Sequence, residues 1–307
     1  MTPMVAAKGA RGTIVERIQR RLGESGFDPR GVDGDFGPNT QRAVLDYQAA
    51  NRLSATGNVD SITWMELMNE VPPPTGDRCL QLTAAFEGHG FEHAAGNFDG
   101  AGVTWGIIGF TLRHGSLKRI VMEIGDAQPA LVEEAFGAKA SELMRIMAAP
   151  WSEQLEWADS ITLRGDKSRL AKAWRDGFAR FGSFPEVRAA QIRRAGEDYF
   201  RPALETARQQ RLATELGAAL CFDIHVQNGG LKPAAARRVE ELLGGRPAVS
   251  EQERRVILAH AVADASAARW REDVRARKLT IATGAGAVHG RAYQLRSWGL
   301  GECGFSI

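Results

Sequence analysis

From Thr13 onward the apolar residues Ile14, Ile18 and Leu22 recur at i, i+4 and i+8, which predicts one face of a short helix closed by Gly23 and Gly26. In the following VDGDFGPNT, Asp33-Gly34 and Phe36-Gly37 supply turn chemistry and Pro38 suits a first helical turn; Ala43, Val44 and Tyr47 then open a second apolar stripe. Past the turn at Gly57, Asp60 is placed to cap a third short helix containing Ile62, Trp64, Leu67 and Met68. A compact three-helix module over residues 1–70 is expected. Residues 71–77, VPPPTGD, read as a semi-rigid proline-rich linker, and residues 78–307 as a second, larger domain. There the periodicity is helical over 129–147, 151–159, 167–181, 185–209, 213–226, 233–243 and 250–278, and the β signal is confined to 96–111. The expected fold class is mostly α, an α+β arrangement with one small sheet lining a cleft.

Composition changes this picture little. The 307 residues suffice for two domains, and a net charge of +2 is too weak to argue for nucleic acid. Cys79, Cys221 and Cys303 cannot all pair within the chain and lack metal-type spacing, so reduced, buried thiols are expected. No run approaches the roughly 18 apolar residues that a membrane-spanning helix needs, so no membrane insertion is expected.

The chemistry concentrates in residues 86–110, FEGHGFEHAAGNFDGAGVTWGIIGF. Glu87 closes the apolar run LQLTAAF, where burial raises a carboxyl toward what a general acid needs; Asp99 sits in the polar, turn-rich NFDGAG, where a carboxylate stays solvated. Two carboxyls in unlike settings are the equipment of glycosidic hydrolysis, one protonating the leaving oxygen and the other activating water or attacking the sugar. An Asp in an Asp-Gly turn also caps such turns without any catalytic duty. Thr104, five residues beyond Asp99, can hold a water for it or serve as an ordinary strand threonine, and Trp105 can stack on a pyranose or fill the core.

Two resemblances give these patterns a context. IVERIQRRLGESGF, VDGDFGPNTQRAVLDYQAANRL and GNVDSITWMELM resemble the peptidoglycan-binding type 1 domain over nearly all of residues 12–69. That implies a non-catalytic anchor on murein, with Asp33, Phe36, Asn39, Thr40 and Gln48 as candidate contacts. The stretch from Glu87 through D-G-A-G-V-T-W-G-I-I-G-F resembles the family 46 glycoside hydrolases, the chitosanase group of the lysozyme-like superfamily. Residues 184–230 and RKLTIATGAGAVHGRAYQL are similar to that family's later helices and closing segment. The resemblance implies a lysozyme-like fold and an inverting mechanism with Glu87 as proton donor, Asp99 as base and Thr104 positioning the water. Candidate residues of the substrate cleft are Trp105, His89, Asp223, His225, Gln227 and Asn228, with His225 a packed or cleft-lining histidine. Two departures stand out: Asp99 follows Glu87 by only twelve positions, and Ala101 replaces an arginine between the glycines. The loop is therefore different, and Glu92 within it is the substitute base.

Chitosan is a polycation and murein an anionic, N-acetylated polymer, so the attached anchor tips the expectation toward cleavage of the peptidoglycan glycan strand. Chitosan is the alternative substrate, and a wall-binding protein without catalysis the alternative class. The N-terminal MTPMVAAKGARGTIVERIQRRLG lacks the apolar stretch of a secretory signal. Cytosolic synthesis is expected, with delivery to the wall or periplasm by phage-type lysis or specialised export, as a monomer.

Residues 89–93, HGFEH, also spell the inverted zinc-protease motif, but Gly88, Gly90 and Gly96 crowd a segment that would have to be helical, so no metal is expected. An EF-hand reading of Asp33 and Asp35 fails because its twelfth position is Val44. GAGAVHG, 284–290, misses dinucleotide spacing, and no cofactor is expected.

Overall fold

The computed structural model describes residues 2–88, 90–246 and 248–305. The chain forms two compact units, one of Met1–Phe86 with Tyr199–Ile307 and the other of Glu87–Asp198.

The first unit opens with β1 (Met4–Ala6), α1 (Thr13–Glu24), α2 (Pro38–Ala50), β2 (Val59–Asp60), α3 (Ser61–Met68) and α4 (Thr75–Glu87), and β1 pairs antiparallel with β2. The three predicted helices of the module are present, packed through Ile14, Val15, Ile18, Leu22, Val44, Trp64 and Leu67. Asp60 caps α3 as expected, accepting from the Thr63 N–H at 2.8 Å. The proline-rich segment leads directly into α4, and the Trp64 indole holds the Val71 carbonyl at 3.0 Å.

The second unit carries β3 (Ala94–Ala95), β4 (Thr104–Trp105), β5 (Phe110–Thr111), α5 (Ser116–Ala127), α6 (Pro129–Phe136), α7 (Ala140–Ala148), α8 (Trp151–Ile161), β6 (Thr162–Leu163), β7 (Asp166–Leu170), α9 (Lys172–Ser183) and α10 (Pro185–Ala195). Strands β3, β4 and β5 make one antiparallel sheet in that order, and β6–β7 a hairpin. Its core gathers Trp105, Phe110, Phe136, Trp174, Phe178 and Phe181. The structure departs from the expected elements in three places here. Residues 167–170 are strand where helix is expected, because the Asp166 carboxylate binds the Ser168 N–H and hydroxyl (3.1 and 2.6 Å) and turns the chain. Helix α5, with Leu117, Ile120, Val121 and Ile124 buried, is unanticipated. The expected helix over 129–147 is broken by a 3₁₀ turn at Gly137–Lys139.

The chain then returns to the first unit through α11 (Arg201–Gln209), α12 (Glu215–Asn228), α13 (Pro233–Leu243), α14 (Glu251–Asp264), α15 (Arg271–Thr283) and the hairpin of β8 (Ala285–Val288) with β9 (Arg291–Gln294). The long helix expected over 250–278 is two, and the hairpin is unanticipated. Cys79 and Cys221 are buried as expected, with burial raising both thiols, whereas Cys303 is exposed.

Within this unit the three-helix module is seated on the C-terminal segment rather than held apart from it. Arg78 of α4 is buried and donates to the Gly299 carbonyl and, at 3.1 Å, to the Thr75 hydroxyl, while pairing with Glu215 of α12 at 2.7 Å. The Ala7 N–H donates to the Ser297 carbonyl at 2.9 Å, and the Thr13 N–H to Gln81 Oε1 of α4 at 2.7 Å. Gly12 has φ +107°, and a Cβ there would lie 1.9 Å from Gln81 Oε1, so only glycine permits this seam.

Candidate active site

Helix α4 ends at Glu87, and Gly88 with φ +70° terminates it. Its last turn is clamped within the first unit. The Tyr293 hydroxyl donates to the Ala85 carbonyl at 3.1 Å, the Tyr293 ring meets Phe86 edge-on at 4.7 Å, and the Arg277 guanidinium lies 5.1 Å from the Phe86 ring centre. Arg277 grips Asp223 through Nε and Nη2 (closest 2.6 Å), Lys278 Nζ reaches the same carboxylate at 2.5 Å, and Thr83 of α4 donates to it at 3.1 Å. The helix that presents the half-buried Glu87 is thus anchored on a buried ionic network.

In the second unit the loop between β3 and β4 is organised by Asn97, a buried residue that sequence reasoning missed. Its Oδ1 accepts from the Gly102 N–H at 3.0 Å, its Nδ2 donates to Asp159 at 2.7 Å, and its N–H donates to Thr162 Oγ1 at 3.0 Å. Asp99, exposed between these anchor points, accepts from the Ala101 N–H through Oδ1 at 3.0 Å, and Oδ2 engages no partner among the described residues. Gln191 of α10, fully buried and likewise missed, accepts from the Ile107 N–H at 3.0 Å and donates to the Phe91 carbonyl at 3.1 Å. Thr104 is half-buried on β4, opposite Ala95 and Thr111, and its hydroxyl makes no hydrogen bond among the described residues.

Residues 11–67 match the peptidoglycan binding domain model, and residues 88–244 match that of glycosyl hydrolase family 46. The chain belongs to glycosyl hydrolase family 46. It is accordingly a glycoside hydrolase acting on a glycan, which sets aside the non-catalytic alternative. The family 46 match begins one residue after Glu87 and includes Asp99 and Thr104. The native chitosanase from Bacillus subtilis MY002 is similar in fold, with TM-score 0.51 at 21% identity over 72% of this chain and 95% of that one. A mutant of that chitosanase complexed with 6 GlcN gives 0.50 at 20% identity over the same shares. The mostly helical, lysozyme-like fold class is thereby established for this family 46 chain.

Other expected site residues take different places. Trp105 is a correction: it is fully buried, donates its indole N–H to the Phe178 carbonyl at 3.1 Å and stacks on Phe181, so no sugar reaches it. Asp223 is another, because its burial in the Arg277–Lys278 network makes it a support and not a cleft wall. Gln227 accepts from Lys278 at 2.7 Å. His225 pairs with the Thr206 hydroxyl at 2.9 Å, and burial, aided by the charge of Lys232, holds its imidazole below the ordinary value. Asn228 is half-buried, with its Oδ1 unpartnered among the described residues. His89 lies outside the described residues. Residues 90–93 form a turn, so the helix that the inverted zinc motif requires is absent there. Glu92 is exposed and held by Arg188 at 2.6 Å, which commits one carboxylate oxygen.

In the module, Phe36, Thr40 and Gln48 are buried and therefore structural. Gln48 accepts from the Thr56 and Gly57 N–H groups at 2.9 Å each, and Gln19 bridges Asp33 and Thr40 at 2.8 and 3.0 Å. That hydrogen bond, foremost, holds the Asp33 carboxyl below the usual range. Asp33 and Asn39 stay exposed, Asn39 beside Asp28, Arg30, Arg42 and Asp46 in a polar hollow.

Proposed function

We propose that this glycoside hydrolase cleaves the glycan strand of peptidoglycan with inversion, at the cell wall. Glu87 protonates the departing glycosidic oxygen, Asp99 removes a proton from water, and the unengaged Thr104 hydroxyl orients that water. The observation that carries the substrate assignment is the seating of the peptidoglycan-binding-type module on α4 through the Thr13 N–H and Gln81, on the helix whose last residue is the acid. A chain built this way brings its chemistry wherever the module binds. Chitosan is the second reading, favoured by the likeness in fold to enzymes described as chitosanases.

Digestion of purified sacculi, and separately of chitosan, by wild type, Glu87→Gln and Asp99→Asn decides between them, with products identified by mass spectrometry. Reducing-end muropeptides are expected from wild type, and each variant is expected to lose about 10²- to 10⁴-fold in rate, the usual contribution of a positioned acid or base. Glucosamine oligomers from chitosan alone would overturn the substrate, and a fully active Glu87→Gln would remove that residue from the acid role.

A further inference from the structure

The β6–β7 hairpin carries Arg164 on its exposed turn and Lys167 and Arg169 on the exposed strand β7. It lies beside β3, where the Gly96 N–H donates to the Ser168 carbonyl at 3.1 Å. Glycine is required for this approach, because a Cβ on Gly96 would sit 2.7 Å from the Lys167 carbonyl oxygen. The hairpin, β3 and α9 enclose a hollow of about 730 Å³, lined by Glu92, His93, Phe98, Ser168, Arg169 and Arg175 among others. Phe98 immediately precedes Asp99 and is 56% exposed, an open phenyl face on the rim of the loop that carries the base.

The charges around this hollow do not cancel. Glu92 is engaged by Arg188 at 2.6 Å. Asp176 is shared between Lys172 at 2.5 Å and Arg175 at 3.0 Å, and Asp166 accepts from the Ser168 hydroxyl at 2.6 Å. Arg169 donates to no acceptor among the described residues, and Arg175 spends Nε and Nη2 on Asp176 while leaving Nη1 unengaged. Asp166 lies within electrostatic reach of Arg169 without a hydrogen bond to it, and the three carboxylates Glu92, Asp166 and Asp176 stand against four cations, Arg169, Lys172, Arg175 and Arg188, so one positive charge remains in excess. A planar guanidinium fork matches a carboxylate in geometry as well as charge.

The geometry points to an anion subsite: the hollow takes a carboxylate carried on the glycan, held by Arg169 and Arg175, with Phe98 supporting the adjoining sugar ring. This rests on the peptidoglycan reading above. Peptidoglycan carries carboxylates on its stem peptides, and on its lactyl groups once the stems are removed. Chitosan carries ammonium groups, which the same arginines repel, so the subsite selects by repulsion as well as attraction.

The test compares wild type with the double variant Arg169→Gln/Arg175→Gln on three substrates: native sacculi, sacculi whose carboxylates have been capped with ethanolamine through carbodiimide, and strands stripped of stems by an amidase. Both positions lie on the unit's surface, and Arg169→Lys is included as the conservative control expected to recover part of the loss. Wild type is expected to lose about tenfold in kcat/KM on capped sacculi, the lower end of what a charge-assisted hydrogen bond contributes, and the double variant to show that lower value on native and capped sacculi alike. Arginine dependence that disappears on stripped strands shows that the subsite reads stem carboxylates alone, and dependence that persists shows that it also accepts the lactyl carboxylate freed by stripping. Equal digestion of native and capped sacculi by wild type, or an unchanged preference in the double variant, overturns the subsite and leaves the peptidoglycan reading standing. A wild type that digests chitosan and no sacculus overturns both.

Discussion

Replacing Asp223 by Asn keeps the shape of the side chain and removes the charge on which Arg277 and Lys278 converge. All three groups are buried, at 0%, 2% and 0% exposure, and Asp223 also accepts from Thr83 of α4. Removing one member of a buried ionic cluster strands the others without compensation, at a cost of about 3 to 5 kcal/mol. Acid titration offers a second route to the same interaction. Burial alone raises the Asp223 carboxyl, but the charges of Arg277 and Lys278, with their hydrogen bonds, outweigh it and hold the group at about 2 against an ordinary 3.8. That depression corresponds to about 2 kcal/mol of stability, smaller than the substitution cost because the burial penalty is already subtracted. The folded value lies below the unfolded one, so this contribution is fully present above pH 3.8 and is lost as the pH falls toward 2. Thermal melts of the full chain by circular dichroism at pH 7 are expected to show Asp223→Asn lowered by roughly 10 °C, at about 2–4 °C per kcal/mol for a unit of this size. The difference between the two proteins should narrow between pH 4 and pH 2. A variant melting within about 2 °C of wild type at pH 7, or a gap that does not change with acid, would refute the reasoning.

Two further substitutions probe the second unit. Asn97→Ala removes the buried amide that fixes the loop bearing Asp99, and is expected to cost about 1 to 3 kcal/mol of stability and to lower kcat more than it raises KM; steady-state kinetics showing a change in KM alone would contradict the positioning role. Trp105→Ala is expected to destabilise by about 3 to 5 kcal/mol as a core deletion while binding of glycan oligomers by the folded fraction is unchanged, which denaturant titration and calorimetry check separately.

Much of the fold was legible because its signals are local. Helical spacing in Ile14, Ile18 and Leu22, and the cap at Asp60, need only neighbouring residues to be read, and both recur in the structure. The α5 stripe of Leu117, Ile120, Val121 and Ile124 carried the same signal and went unread. The β6–β7 hairpin was hidden for a different reason: Lys167, Ser168 and Arg169 are exposed on both faces, so no alternation marks the strand, and its partner segment beyond the turn is two residues long. In the site, Glu87, Asp99 and Thr104 stood out by residue type. Asn97 and Gln191 did not, because each acts through partners distant in the chain, Gln191 reaching the Ile107 N–H across 84 positions. Asp223 and Trp105 were assigned to the cleft because an acid and an indole are versatile; only the packing around them distinguishes a support from a surface.

The seam at Gly12 and Gln81 bears on how such an enzyme travels over an insoluble substrate. A binding module on a flexible leash lets its catalytic partner search a volume set by the leash, so one grip serves many bonds. Here the module and α4, up to Phe86, belong to one compact body, so no leash separates the module from the residue that precedes Glu87 in the chain. For a polymer-bound molecule, each grip selects the bonds within range, and reaching the next set requires letting go. Strength of hold and speed of clearance are then opposed quantities.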